Sequence, residues 1–420
     1  MPLGFPSMGI LLSPAGQTPW SARVPLDPHA DRGRPPHNLC KCAVMENQVA
    51  LSETACATIP VAASALVGQA VSPACHLDLS GHVVLPGLIN AHDHLEFNLF
   101  PQLGRGPYPN AGEWARDIFH PERSPVRDQL RVPKPVRLWW GGLKNLLSGV
   151  TTVCHHNPYE PAVFDKDFPV RVVRRLAWAH SLEFEPALVA RFRKGPKAYP
   201  FLVHCAEGTD ARARREVETL DALGALDGRT AIVHGVGLTP ASLALLRRRH
   251  AALVWCPTSN LTMLGRTVTR AVLRSDLPIA LATDSALSAP VDLLDELALA
   301  RKYVSAARLY EMVTTVPARI LRLASSHRSG DWIAIRSQAR TPIEALLTGA
   351  VAVVVIAGRI RLISPDLARQ LPWTERRRFQ LLHVENRPPV LVDADIRGLR
   401  RAAAKYLGQD LRLAGKRILS

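Results

Sequence analysis

The sequence predicts an α/β protein built on parallel strands, and three features predict it. Short apolar runs alternate with amphipathic stretches from residue 79 to residue 323, the pattern of strands joined by crossover helices. Helix-start chemistry falls between the runs, as at Thr239-Pro240, where a capping residue precedes a proline at the first helical position. Several runs end in His or Asp at their carboxyl side, where α/β barrels place their reactive groups. An open sheet and a closed (β/α)8 barrel both fit this alternation.

In chain order, residues 1–77 carry many prolines and small residues and little periodicity, with a strand or helix expected at most over 49–71. Residues 83–89 read as a buried strand interrupted by Pro86-Gly87, and further strands are predicted over 150–154, 170–179, 201–205, 230–234, 252–256 and 278–283. Helices are predicted over 209–223 with a Thr cap, 239–249, 267–275 and 291–307. Beyond residue 323 the texture changes to a small β attachment, with strands over 332–335 and 350–356, a turn at Gly358-Arg359 and a basic amphipathic tail from residue 393. The expected units are 1–80, 81–323 and 324–420.

Composition narrows the function. With 47% hydrophobic and 21% charged residues the chain is an ordinary globular sequence. No apolar run approaches the ~18 residues of a membrane span, and no secretory pattern opens the chain, so a cytoplasmic protein without membrane partners is expected. Cys154, Cys205 and Cys256 lie in apolar runs and read as reduced buried thiols, while Cys40-Lys41-Cys42 matches no zinc spacing. The net charge of +16 comes mainly from arginines scattered along the whole chain. That distribution fits solvated helix faces rather than a nucleic-acid site.

Chemistry concentrates at strand ends. His92 and His94 close the first apolar run, and i, i+2 spacing on a strand aims both imidazoles to one side. Later runs end in His204-Cys205-Ala206-Glu207, in His234, in Cys256-Pro257-Thr258-Ser259-Asn260 and in Thr283-Asp284-Ser285. Imidazoles plus one carboxylate bind Zn²⁺ or Fe²⁺ and leave a position for water, whose pKa the metal lowers. Glu207 is placed to move the water's proton, or else to cap the helix that follows. Residues 96–146 form a long insertion with Trp114, Phe119, His120, Trp139 and Trp140, aromatics suited either to a pocket wall or to a helix core. His155 and His156 face opposite ways on a strand, so at most one enters the site; His180 and Glu183 close the next run, and Ser259 and Asn260 read as loop-shaping residues.

These motifs, from Pro86-Gly87-Leu88-Ile89-Asn90-Ala91-His92-Asp93-His94 through Ala282-Thr283-Asp284-Ser285, resemble the metal-dependent amidohydrolase superfamily. Among its branches the order is most similar to the guanine, cytosine, S-adenosylhomocysteine and s-triazine aminohydrolases. The resemblance spans residues 81–323. It implies a distorted (β/α)8 barrel flanked by a small β-sandwich built from both chain ends. It also implies one divalent metal, zinc first and iron as the alternative, held by His92, His94, His204 and Asp284. Glu207 would be the proton shuttle, His234 a contact to water or substrate, and Asp284 a second hand on the water. Residues 170–179 contain no lysine, consistent with one metal; residues 156–201 offer one clear strand where a barrel needs two; and residues 1–77 lack the family's opening strands.

The expected activity is hydrolytic deamination of an aromatic heterocycle or cyclic amidine. Hydrolysis of an amide, lactam or carbon–halogen bond is the alternative, and a decayed barrel that only binds is a third. A small-molecule substrate and a homo-oligomer are expected, without a nucleic-acid partner.

Overall fold

The computed structural model describes residues 58–61, 75–323 and 330–419. The expectations for the rest of the N-terminal segment, Cys40-Lys41-Cys42 included, lie outside the described residues. Strands β1 (Thr58–Val61) and β2 (Cys75–Asp78) pair antiparallel. The run predicted as one strand over 83–89 is two: β3 (His82–Pro86) and β4 (Leu88–Asp93), which belong to different sheets. Gly87 makes the switch possible, since a Cβ there would lie 2.2 Å from Thr151 Oγ1.

Eight strands carry the α/β portion. They are β4, β5 (Val150–His155), β6 (Arg171–Val172), β7 (Ala177–Ser181), β8 (Phe201–Cys205), β9 (Thr230–His234), β10 (Ala252–Trp255) and β11 (Ile279–Leu281). All neighbours within the ladders run parallel, in two sheets ordered β4-β5-β6 and β11-β10-β9-β8-β7. The single run predicted over 170–179 therefore holds two strands, which supplies the one that sequence reading lacked. The ladder pairing does not close into a ring among the described residues.

Period-2 alternation sorts the strand side chains into two layers. Ile89, Cys154, Leu202, Val233, Val254 and Ala280 meet in one inner cluster, although β4 and β11 lie at the far ends of separate ladders. Phe201, Val203, Ile232, Leu253 and Leu281 face outward into the larger cluster shared with the helices. The helix Pro240–Arg248 starts as predicted, with Thr239 and Ser242 forming a reciprocal cap. The predicted helix over 209–223 starts later, as the turn Ala213–Arg215 and the helix Glu216–Ala222, because Asp210 rather than Thr209 accepts the Ala213 N–H at 2.8 Å.

A six-stranded sheet joins β3 to strands from the C-terminal part of the chain. It is ordered β15-β16-β14-β13-β12-β3, with β12 (Trp332–Arg336), β13 (Ala350–Ile356), β14 (Arg359–Ile363), β15 (Gln380–Leu382) and β16 (Val390–Val392). Leu77 and Leu79 pack against it with Trp332, Val353 and Ile363. The basic tail forms the helix Ile396–Leu407, capped by Asp395. No helix among the described residues is long and apolar enough to cross a membrane.

Candidate active site

The strand ends converge. His92 is the last residue but one of β4, His204 is on β8, His234 ends β9, and Asp284 follows β11. His94 lies one residue past β4, at the start of the turn Leu95–Phe97, so it reaches the site from a bend rather than from strand alternation. The His92 Nε2 atom lies 3.5 Å from Asp284 Oδ1 and 3.3 Å from His204 Nε2, and His94 Nε2 lies 3.7 Å from the same carboxylate oxygen. A tetrahedron of ligands about 2.0–2.2 Å from a metal has edges of about 3.3–3.6 Å, near these three distances; the atoms able to hold a metal fall in two overlapping groups, His92 with His94, His156 and His204, and His92 with His234 and Asp284.

The second nitrogen of each ring decides which tautomer is present. His204 Nδ1 faces the carbonyl of His180 at 3.0 Å and must carry its proton, leaving Nε2 as a lone pair. His94 Nδ1 donates to Asn157 Oδ1 at 2.6 Å, and Asn157 is turned that way because its Nδ2 donates to Glu96 Oε1 at 2.6 Å. His92 is set through another imidazole. His156 Nε2 donates to the Ala179 carbonyl at 3.0 Å, so its Nδ1 accepts from His92 Nδ1, 3.2 Å away. Burial keeps the rings neutral: His92 falls to about 4, and His156 and His204 lie well below the usual histidine value. Three lone pairs and a carboxylate thus point at one place, an arrangement of acceptors that a divalent cation satisfies. His156 lies close enough to join the cluster, but both of its nitrogens are engaged.

Burial raises the pKa of Asp284, and protonated forms of His92 and its neighbours would pull it below the usual carboxylate range; with those rings neutral, hydroxyl donors hold the carboxylate instead. Its Oδ2 accepts from Ser259 at 2.7 Å and Ser288 at 3.0 Å, which leaves Oδ1 for the cluster. Glu207 behaves in the opposite way: burial, then the charges of Asp284 and Glu216, push its pKa well above the usual value. Its Oε1 lies 3.3 Å from His234 Nε2, and His234 is lowered, first by burial. Both shifts favour the uncharged forms, a carboxylic acid beside a neutral imidazole, over an ion pair. Asn260 Oδ1 accepts from His234 Nδ1 at 2.9 Å and so keeps Nε2 as the acceptor facing Glu207.

Backbone strain marks the same places. Ala206, His234 and Asp284 have φ of 54°, 79° and 59°, left-handed values for residues other than glycine. Each costs ~1–3 kcal/mol, and each turns the chain sharply at a strand end that carries a reactive group.

Other expectations divide cleanly. His156 faces the site while His155 faces away to Glu96 at 3.3 Å. Trp114, Phe119 and His180 line a chamber above the donor atoms, whereas Trp140 is core, Trp139 packs on Phe168 and His120 is at the surface. Ser259 and Asn260, read as loop-shaping, hold Asp284 and His234 directly. Asn157, Ser288 and Lys144 were missed: their side chains meet the site only through folding, and no motif spacing announces them. Glu207 does not cap the following helix.

The chain matches the amidohydrolase family profile over residues 201–360. Residues 201–360 are an amidohydrolase family domain. The 5-methylthioadenosine/S-adenosylhomocysteine deaminase of Pyrococcus furiosus is 25% identical over 313 residues, 59% of this chain and 73% of that protein. A 5'-deoxyadenosine deaminase of Methanothrix thermoacetophila is 27% identical over 273 residues, 53% of this chain and 63% of that protein. An adenosine deaminase from Xanthomonas campestris, solved with bound zinc, superposes with TM-score 0.58 at 19% identity, covering 78% of this chain and 85% of its own. The zinc complex of an atrazine chlorohydrolase from Arthrobacter aurescens gives 0.58 at 15% identity, covering 78% and 88%. With this domain the chain is a hydrolase of the class acting on carbon–nitrogen bonds, and its fold is of the TIM-barrel type.

Proposed function

We propose that this protein is a metal-dependent hydrolytic deaminase acting on an amino-substituted heteroaromatic ring. The observation that carries this reading is the Glu207 carboxyl, 3.3 Å from His234 Nε2, beside a cluster of His92, His94, His204 and Asp284. The eight strands are read as one distorted (β/α)8 barrel, supported by the shared inner cluster, and the β1–β2 ladder packed on the six-stranded sheet as the flanking β-sandwich.

A divalent cation held by those four side chains, zinc by preference, would lower the pKa of a water toward neutrality. The protein's own groups do the rest. Glu207 gives its proton to a ring nitrogen as the water oxygen bonds to the carbon bearing the amine. The resulting carboxylate takes a proton from that oxygen and delivers it to the amine nitrogen. The carbon–nitrogen bond then breaks, releasing ammonia, and the oxygen's remaining proton returns to Glu207 as the carbonyl forms. His234 accepts the Glu207 hydrogen bond and keeps the acid aimed, and Asp284, held by two hydroxyls, orients the water. The names of the sequence relatives, which are deaminases of adenosine-like compounds, support the same chemistry.

Ammonia release from amino-purines, nucleosides and amino-triazines tests the reading. Glu207→Gln is expected to lower kcat by about 10²–10⁴-fold while one metal per chain remains bound. Full ammonia release by that variant refutes the role. Likeness to a chlorohydrolase supports the alternative of carbon–halogen hydrolysis, which would release chloride rather than ammonia.

A further inference from the structure

We propose that the chamber takes an uncharged heteroaryl amine with an apolar end and turns away ligands that carry a carboxylate or an amino-acid tail. This rests on the deaminase reading of the same site and narrows its substrate class.

The chamber has a volume of about 780 Å³, open mouth included, within the usual range for small-molecule sites. Its polar groups gather on the floor, where the metal donors, Glu207 and His234 lie. The wall is Phe97, Phe100, Trp114, Ile118, Phe119 and Leu287, and no lysine or arginine lines it among the described residues. The polar atoms in the wall are largely committed. Trp114 Nε1 donates to the Leu103 carbonyl at 3.1 Å, and Asn157 is bound at both ends of its amide by His94 and Glu96. A carboxylate entering this space would lose its water and meet no cation beyond the metal floor, which the reacting ring itself occupies.

The mouth is no more welcoming to an anion. The Arg212 guanidinium lies beside the chamber but is bound by Glu183 at 3.2 Å, and Arg116 is shared between Glu183 and Glu113, each at 2.7 Å. Gly112 lets that carboxylate settle: a Cβ on it would sit 2.2 Å from Glu183 Oε2. Glu183 thus neutralises the cations best placed to receive an anionic tail.

Two ligands isolate this property, because 5-methylthioadenosine and S-adenosylhomocysteine share the adenosine and thioether and differ in the amino-acid tail. Binding is measured by calorimetry on the metal-loaded Glu207→Gln enzyme, so no turnover is needed. Tighter binding of the methylthio compound, by about 100-fold, is expected, and any preference of at least tenfold supports the proposal. A smaller preference, a preference for the zwitterion, or no binding of either overturns it. If the neutral ligand binds as expected while the wild-type enzyme releases no ammonia from it, the deaminase reading fails and the pocket assignment stands. Glu183→Gln, which frees Arg212 and leaves Arg116 with Glu113 alone, is expected to narrow the preference at least fivefold by improving the zwitterion alone. An unchanged ratio in that variant overturns the role given to Glu183.

Discussion

The two ladders meet at two seams, and the seams are held in different ways. Where β11 meets β4, the backbone still bonds across, with Asp284 N to His92 O at 3.1 Å and Thr283 N to Asn90 Oδ1 at 3.2 Å. Behind the metal donors a buried ammonium fastens the junction. Lys144 reaches Asp93 at 2.8 Å and Thr283 at 3.0 Å, and Asn145 and Asn98 complete the Asp93 carboxylate. Where β5 and β6 meet β7, the link near the site is the His156 imidazole, bonded to Ala179 on one side and to His92 on the other. One seam is closed by a fixed charge pair. The other is closed through the imidazoles of His156 and His92, rings of the proposed metal cluster, so it should respond to whatever that cluster holds.

The largest expected effect comes from breaking the first seam. Lys144→Met leaves Asp93 as an unpaired buried anion and should cost ~3–5 kcal/mol in denaturant unfolding, with Asp93→Asn in the same chain recovering part of the loss. A neutral Lys144→Met would show that the ion pair does not hold this junction.

Acid probes the second seam in the metal-free protein. Burial pulls His92 to about 4 and His180 to about 3. The unfolded chain therefore binds more protons than the native one below pH 6.5. Stability is fully present above that pH and is lost as pH falls toward 4 and then 3, by ~3 kcal/mol for His92 alone. Thermal unfolding between pH 7 and pH 4 reads this directly, and saturating zinc should shift the loss to lower pH. An unchanged melting temperature across that window would contradict neutral packing of these rings.

A sharper cut is His156→Leu, which removes the link to Ala179 and frees the His92 tautomer. Metal affinity should fall about 10–100-fold, while His156→Gln, able to donate and accept at similar positions, should retain most of it. Competition with a chromophoric chelator measures both. The smallest effect is expected from Ser259→Ala, which leaves Asp284 Oδ2 with Ser288 alone: about 1 kcal/mol in stability and a modest loss of metal affinity, with both seams intact.

Much of the site was legible because its donors sit at strand ends. An apolar run that stops at His92, His204 or His234 announces both the strand and the polar group beyond it, since burying an unsatisfied imidazole inside a parallel sheet is costly. Asp284 followed the same logic. Two features resisted. The run over 170–179 reads as one strand because apolar residues lie on both sides of Arg174-Arg175, and the break between β6 and β7 comes from how the chain leaves one ladder for the other. Pro86-Gly87 reads as a kink in one strand, whereas only the position of β12 shows that β3 pairs away from β4. The C-terminal β attachment was visible as runs, but its pairing with β3 spans most of the chain and leaves no local trace.

By itself the sequence determined the α/β class and the order of the His and Asp side chains at successive strand ends, because periodicity and strand-end polarity are local properties. Tertiary structure decided the rest: that Asn157, His156, Ser259 and Asn260 set the tautomers and orientations of the reactive groups, that Lys144 sits behind them, and that the chamber wall is apolar while Glu183 silences its nearest cations. Each of these depends on hydrogen bonds and burial between residues far apart in the chain, where partner identity is set by packing and not by spacing.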